Sequence, residues 1–353
     1  RFEDIINFNP NAAPFILHPT YPQIMDIFVA KYDLEMNLLW AFKIGNHNHQ
    51  YSSAIGTDDN NNVFICGNFK DSLDLDPDSS SYYLHSQNEH YFFEKYYEDG
   101  KFLWGKDEGE SGNPIIWGSA RIYTDTQLNS YCIIHNTNIL KKYDLNGNLI
   151  WELYYEGFPI YLNDALYHVN HFIDPLQYPY YDTNTLLFNR IGLNGNTLQT
   201  KTLAHSTDGY IQGFLSGDDN GSIILNGKFW GTFEFYFPSD TVIIINYDMQ
   251  EEHGCFYPLE REFIAKIDTL GNLRWVHAYH EDSPVPQIIK TNSNGDIFLL
   301  GLKGNANFDP NGLVQIPGPL GISYIAKYDS SFNYLACGLF LGWYRRAYGF
   351  EMI

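Results

Sequence analysis

The sequence predicts an all-β chain built as a β-propeller of four-stranded antiparallel blades, with six blades expected and seven as the alternative. Three observations carry this expectation. A ten-residue pattern, in which a basic residue leads through a polar turn into an apolar strand, occurs six times: Lys31–Trp40, Lys95–Trp104, Lys142–Trp151, Arg190–Gln199, Lys266–Trp275 and Lys327–Ala336. Successive copies lie 47 to 76 residues apart, a spacing at which self-similarity marks stacked or radially repeated units. The composition favours strands, with 28 Tyr and 25 Phe against 4 Met, and no stretch shows apolar residues at helical spacing.

Each ten-residue copy reads as a hairpin, the Asn, Asp and Gly of 144–148 and 269–272 supplying turn chemistry between alternating flanks. A second hairpin type lies between the copies, in 52–67, 211–227 and 287–301, where an Asp/Asn-rich turn joins two apolar runs. Two hairpins make one four-stranded blade. Blade one is therefore expected at 51–107, blade two at 115–154, blade three at 160–204, blade four at 209–280 and blade five at 285–341. In blade three the stretch around Pro175–Asp182 obscures the second strand. The last blade is shared: 26–44 gives its outer hairpin, and Phe2–Phe8 with Arg346–Met352 completes it. Joining the two ends in one sheet makes 1–353 a single closed domain and removes an open edge. A competing register aligns residues 2–10 with Ser72–Pro77, the segment after the second strand of blade one, and leaves the shared blade one strand short.

A net charge of −21 weighs against nucleic acid and anionic membrane surfaces as partners. No apolar run approaches the length needed to cross a bilayer as a helix, so no membrane insertion is expected. Cys66, Cys132, Cys255 and Cys337 are far apart and form no C-x-x-C pair, which leaves disulfide bonding and redox compartment open.

The strings Ile27–Asp33, Gly295–Gly301 and Asn307–Pro310 resemble the bacterial SBBP-type β-propeller repeats of secreted and surface proteins, notably of Bacteroidota. The resemblance covers most of the chain and is weakest in blades two and three, which lack the Phe-Asp-Pro element. It implies an exported protein with a binding or scaffold role toward a protein partner, in a cell-envelope or surface assembly, and brings no catalytic residues with it.

The residues themselves add candidates. The recurrent basic residue is expected to pack its stem and pair with a neighbouring carboxylate, and Trp40, Trp104, Trp151 and Trp275 to pack between blades. Asp74, Asp76 and Asp78 alternate before a turn and offer oxygen ligands for a hard cation such as Ca²⁺; the plainer reading is a set of side-chain turns closed by Pro77. His47 and His49 are too few for a zinc site, and His168 with His171 or His277 with His280 sit at spacings that place them on opposite strand faces. No nucleophile elbow, zinc-protease or phosphate-loop motif is present. Long segments at 9–25, 68–90, 228–261 and 302–322 fall on one rim as loops, acidic and aromatic in content, and loops on a rigid scaffold are where binding usually lies. The candidates on that rim are Tyr82, Tyr83, Glu108, Tyr155, Phe158, Tyr161, Phe256 and Tyr257. The leading expectation is a non-catalytic interaction module; the alternative is a carbohydrate-binding or carbohydrate-active propeller.

Overall fold

The computed structural model describes residues 2–10, 12–78, 80–110, 120–134, 138–155, 159–162, 165–173, 184–206, 208–217, 222–246, 248–252, 255–258, 260–279, 286–292, 294–303, 306–309, 314–316 and 322–340. They belong to two compact units, Arg1–Tyr155 and Glu156–Ile353. Every element among them is a β-strand, and every pairing is antiparallel.

In the first unit β1 (Ile6–Asn7) pairs with β2 (Ile16–Leu17), and β3 (Ile27–Tyr32) with β4 (Leu38–Ile44). Sheet 1 follows in the order β5 (Tyr51–Thr57), β6 (Val63–Asp74), β7 (Tyr83–Tyr96) and β8 (Phe102–Glu110). Sheet 2 repeats the meander as β9 (Ala120–Thr124), β10 (Ser130–Ile134), β11 (Ile139–Tyr143) and β12 (Leu149–Tyr154).

In the second unit the meander here called sheet 3 is β13 (Ile160–Leu162), β14 (Ala165–Ile173), β15 (Asn184–Gly192) and β16 (Thr197–His205), the end of β16 pairing with the far half of the next meander's second strand through Ala204↔Phe235 and His205↔Glu234. The strand that Pro175–Asp182 obscured is thus β14; 174–183 lies outside the described residues. Sheet 4 starts with β17 (Tyr210–Gly217) and β18 (Ser222–Tyr236). A side arm follows as β19 (Thr241–Asn246) on the far half of β18, then the hairpin of β20 (Met249–Glu252) and β21 (Cys255–Pro258). The sheet closes with β22 (Arg261–Asp268) and β23 (Leu273–Ala278). Sheet 5 comprises β24 (Pro286–Thr291), β25 (Ile297–Lys303), β28 (Ile322–Tyr328) and β29 (Tyr334–Phe340), with β26 (Ala306–Asn307) and β27 (Gln315–Ile316) between its halves.

One turn serves most of the hairpins. Asp33, Asp58, Asp125, Asp144, Asp268, Asn292 and Asp329 each accept, on a side-chain oxygen, the backbone N–H groups two and four residues ahead. The fourth residue of each turn has a left-handed backbone: Met36, Asn61, Leu128, Gly147, Gly271, Gly295 and Phe332, with φ between 58° and 79°. This is a type I turn closed by a bulge. The outer hairpin ladder shifts register at one equivalent place in all six repeats, between Lys31/Tyr32, Lys95/Tyr96, Lys142/Tyr143, Arg190/Ile191, Lys266/Ile267 and Lys327/Tyr328. At Gly147 the glycine is required twice, by its φ of 78° and by the Trp104 ring, 2.7 Å from where a Cβ would stand.

Within each unit apolar cores lie between consecutive sheets. The second strands β10 and β25, and the first halves of β6 and β18, read as nearly unbroken apolar runs because both their faces are covered. Val63, Ile65 and Phe69 of β6 pack with Ile27, Val29 and Ile44 of the opening hairpin, while Phe64 and Cys66 pack with Cys132, Ile134 and Tyr143 of sheet 2. In the second unit Ile223 and Leu225 face sheet 3, and Ile224 faces sheet 5. The outer strands alternate instead, leaving Leu39, Ile150, Leu198 and Leu335 exposed.

Within each unit a repeated latch joins one sheet to the next. The last residue of a ten-residue copy donates a side-chain N–H to a carbonyl in the following repeat's outer turn: Trp40 to Glu98 (2.9 Å), Trp104 to Leu145 (3.2 Å), Gln199 to Leu270 (3.0 Å) and Trp275 to Ser330 (3.2 Å). The expectation that the recurrent tryptophans pack between repeats is met at Trp40, Trp104 and Trp275; the Trp151 ring lies edge-on to Tyr131 of its own sheet. The basic residue is also structural. Lys95, Lys142 and Lys327 bond Asp58, Asp125 and Asp296 at 2.9, 3.0 and 2.7 Å, and lie over the rings of Phe64, Tyr131 and Phe298.

Two expectations need correction. Phe2–Phe8 does not form one continuous strand. Phe2 makes a single bridge to Asp26, and Ile6–Asn7 turns away to pair with Ile16–Leu17. The competing register is the one observed, because Asn7 binds the N–H groups of Asn9 and Phe15 just as Asp74 binds those of Asp76 and Tyr82. Residues 341–353, with Arg346–Met352 among them, lie outside the described residues. The segments 68–90 and 228–261 are not loops either. Their described residues are mostly strand: β6, β7 and β18 run past their sheets, burying Phe69 and Leu73, and likewise Phe233 and Phe235, and β19 to β21 follow β18.

Candidate functional site

The most developed surface feature of the first unit is the arm formed where β6 and β7 outrun their neighbours. The paired sheet ends at Phe69↔His90; a two-stranded ribbon then continues from Asp71↔Ser86 to Asp74↔Tyr83. At the junction the single Lys70 faces three residues, 87–89, and Asp71 is driven to φ 64°. The irregularity is held from the segment after β4, where the Asn46 amide donates to the Lys70 and Ser72 carbonyls at 2.8 and 2.9 Å. A wide bulge of this kind re-aims the chain beyond it.

Alternation along the arm gives two unlike faces. Leu73 and Leu75 are fully buried against Phe92 and Tyr96. Tyr83 and His85 point outward, their rings 6.0 Å apart and 17° from parallel, and Tyr83 is 54% exposed. Asp71, His85, Ser86 and Gln87 line an open hollow beside them. The Asp71 carboxylate accepts from the Asn48 amide (2.6 Å) and contacts His47 Nε2 at 3.1 Å. Those contacts, the Asn48 hydrogen bond foremost, hold its pKa below the ordinary carboxylate range. At the base of the arm His90 Nδ1 meets both Asp107 oxygens at 2.8 and 2.9 Å.

The structure sorts the sequence candidates. Tyr82 is partly exposed, its hydroxyl donating to the Gly105 carbonyl and its ring packed on Phe102. Glu108 and Tyr155 are buried and so do not present their side chains on a rim. Glu108 accepts from the Tyr143 hydroxyl at 2.6 Å and is paired with Lys141 at 2.8 Å. Tyr161 is half-buried in β13. Phe158 lies outside the described residues; Phe256 and Tyr257 pair through their backbones with Glu251 and Gln250, and their side chains lie outside the description. Asp71 belongs to the acidic segment that the sequence places on the binding face; Asn46 and Asn48, which hold it and the junction, were not singled out, their signal being only a polar run after β4.

The Asp74 loop is a chain of side-chain turns. Asp74 accepts the Asp76 N–H, and Asp76 accepts the Asp78 N–H and the Ser80 hydroxyl (2.6 Å). Neutral Asn7 and Asn307 make the same pair of bonds at the equivalent positions, so the turn does not depend on the negative charge of Asp74. His47 and His49 do not work as a pair, since His49 Nδ1 accepts the Met25 N–H. Among the described residues no group of three His, Cys, Asp or Glu is placed to hold a metal ion, and no helix is long and apolar enough to cross a membrane.

One buried acid stands apart. Glu94 is fully buried; one of its oxygens lies 2.9 Å from the Tyr96 hydroxyl, which also donates to the Leu75 carbonyl at 2.7 Å. A hydroxyl has one proton to give, so a protonated Glu94 completes the chain by donating to Tyr96. Burial pushes its carboxyl well above the ordinary range, which agrees. The folded chain thus binds a proton that the unfolded chain releases, and stability falls as pH rises above the unfolded carboxyl's value. Glu94→Gln is expected to raise the urea midpoint at about pH 8 and flatten its decline from about pH 5; an unchanged slope would contradict this protonation state.

No protein-family description matches the chain, and no curated protein sequence does. Solved structures show a distant likeness. A protein of unknown function from Bacteroides caccae is 9% identical over 69% of this chain and 87% of its own, with a TM-score of 0.25. Virginiamycin B lyase from Staphylococcus aureus is 12% identical over 82% and 95%, at 0.30. An exo-beta-1,3-galactanase from Clostridium thermocellum is 11% identical over 93% and 82%, at 0.26. At such TM-scores these likenesses carry no argument about closure or activity.

Proposed function

We propose that the chain is a non-catalytic interaction module, an exported six-bladed propeller-type scaffold whose first complete sheet presents the 71–86 arm to a protein partner. The observation that carries this reading is the division of the arm: Leu73 and Leu75 anchor one face, and Tyr83 with His85 is displayed on the other. An aromatic residue on a rigid support is the usual anchor of a protein interface. The acids that might suggest catalysis are engaged elsewhere, in turns at Asp58 and Asp125 and in buried pairs at Glu94 and Glu108. The net charge of −21 favours a basic partner surface. A sugar ligand is the second reading, favoured by the near-parallel Tyr83 and His85 rings.

The test is capture from the native source by the full chain, followed by mass spectrometry, with wild type beside the Tyr83→Ala, His85→Ala double variant. The expected result is a protein retained by wild type and lost, by about tenfold or more, by a variant whose melting temperature is unchanged. Equal capture by both would contradict the proposal. Binding on a glycan array that the variant abolishes would move the assignment to the second reading.

A further inference from the structure

We propose that Cys66 and Cys132 join in a disulfide bond that staples sheet 1 to sheet 2. Both are buried as free thiols in the apolar core between these sheets, among Phe64, Phe93, Trp104 and Tyr143. There the two thiols meet as hydrogen-bond partners.

The strand ladders place the pair. Cys66 lies opposite Ala54 and Phe93, and Cys132 opposite Ile122 and Lys141. The first strands β5 and β9 approach closely because Gly56 has no side chain: a Cβ there would stand 3.1 Å from the Ile122 side chain. Ala54 and Ile122 pack against the same core, so the cysteines sit one strand out from that contact. In the second unit the repeat puts Val169 and Leu225 at these two positions, and both lie in one core between sheets 3 and 4. The corresponding pair between sheets 4 and 5 is Asn226 and Leu299. Between sheets 1 and 2 both positions are cysteine, so two thiols occur together where the repeat makes side chains face each other, as a disulfide requires.

Burial pushes the Cys132 thiol well above its usual range, and a protonated thiol is inert toward exchange. The bond therefore forms while sheets 1 and 2 assemble, before the core closes. A small-molecule disulfide is the oxidant. The Cys66 thiolate attacks one of its sulfurs and releases one thiol; the Cys132 thiolate then attacks Cys66 Sγ and releases the second. Two electrons pass to the oxidant, and the two cysteine protons end on the two released thiols. The bond closes the chain from 66 to 132 into a loop, which restrains the unfolded state. The pair is separate from the 71–86 arm, so either proposal can fail alone.

The test refolds the full, reduced chain from urea in a mixture of oxidised and reduced glutathione, beside a sample kept in reductant and the Cys66→Ala variant. The expected wild-type product is about 2 Da lighter than the reduced sample, yields a peptide linking Cys66 to Cys132, and unfolds at a higher urea midpoint. Cys66→Ala should keep its full mass. The same mixture added to the folded, reduced chain should act more slowly by about tenfold or more; equal rates would overturn bonding during assembly. Free thiols throughout, or a link to Cys255 or Cys337 instead, overturns the proposal. A Cys66–Cys132 link that lowers the urea midpoint also overturns it, since the bond then distorts the interface it is held to staple.

Discussion

Replacing Asp58 by Ala is expected to destabilise the first unit by about 3–5 kcal/mol, because it strands a buried cation. The Asp58 and Lys95 side chains are 0% and 3% exposed and their charged atoms are 2.9 Å apart. Lys95 is held over the Phe64 ring, 4.6 Å from its centre. Asp58 also organises its turn, accepting the N–H groups of Asn60 and Asn62 and the Asn62 amide. Burial pushes its carboxyl up, but the bonds from Asn62 and Lys95 outweigh burial and leave the pKa lowered. The pair therefore stabilises above the unfolded carboxyl's range and fails as pH falls through the folded value. Asp58→Asn with Lys95→Met separates the two roles: Asn292 already closes such a turn with an amide, so the double variant should recover most of the loss. Urea unfolding decides it, and a double variant as unstable as Asp58→Ala would show that the turn, not the stranded charge, dominates.

Trp104→Ala is the second large effect, expected at about 3–5 kcal/mol. The ring lies against Phe64, Phe93 and Tyr143, above Gly147, and its N–H reaches the Leu145 carbonyl of the next sheet. Trp104→Phe keeps most of the packing and removes the hydrogen bond, for a loss of about 1 kcal/mol. A Phe variant as unstable as the Ala variant would show that the latch works through geometry that only indole supplies.

The repeat was legible because its physics is local. Turn acids, the left-handed fourth residue and the alternating flanks all act within ten residues, so five sheet boundaries could be read from sequence. Where Asn7-Phe8, Leu75-Asp76 or Phe308-Asp309 is present, the residue after the lysine is Tyr32, Tyr96 or Tyr328, and its hydroxyl caps the carbonyl of Phe8, Leu75 or Phe308. Of the sheets with no intact copy of that element, 3 and 4 have Ile191 and Ile267 there, while sheet 2 keeps Tyr143, whose hydroxyl donates to Glu108 instead. The arm was harder. Its pattern of Phe69, Leu73 and Leu75 is strand-like, but Lys70 and the acids from Asp71 to Asp78 are residues that strands and loops share. Glu108 was misplaced for a related reason: its partners Lys141 and Tyr143 come from the next sheet, and no local rule announces them.

Hydrogen exchange of the full chain, alone and with the captured partner, reports whether the 71–86 arm is the binding face. New protection is expected across residues 71–86 and the 46–50 segment beneath them, with the outer turns 33–37, 97–101 and 144–148 unchanged. Protection gathered at those turns, leaving the arm exchanging as before, would contradict it.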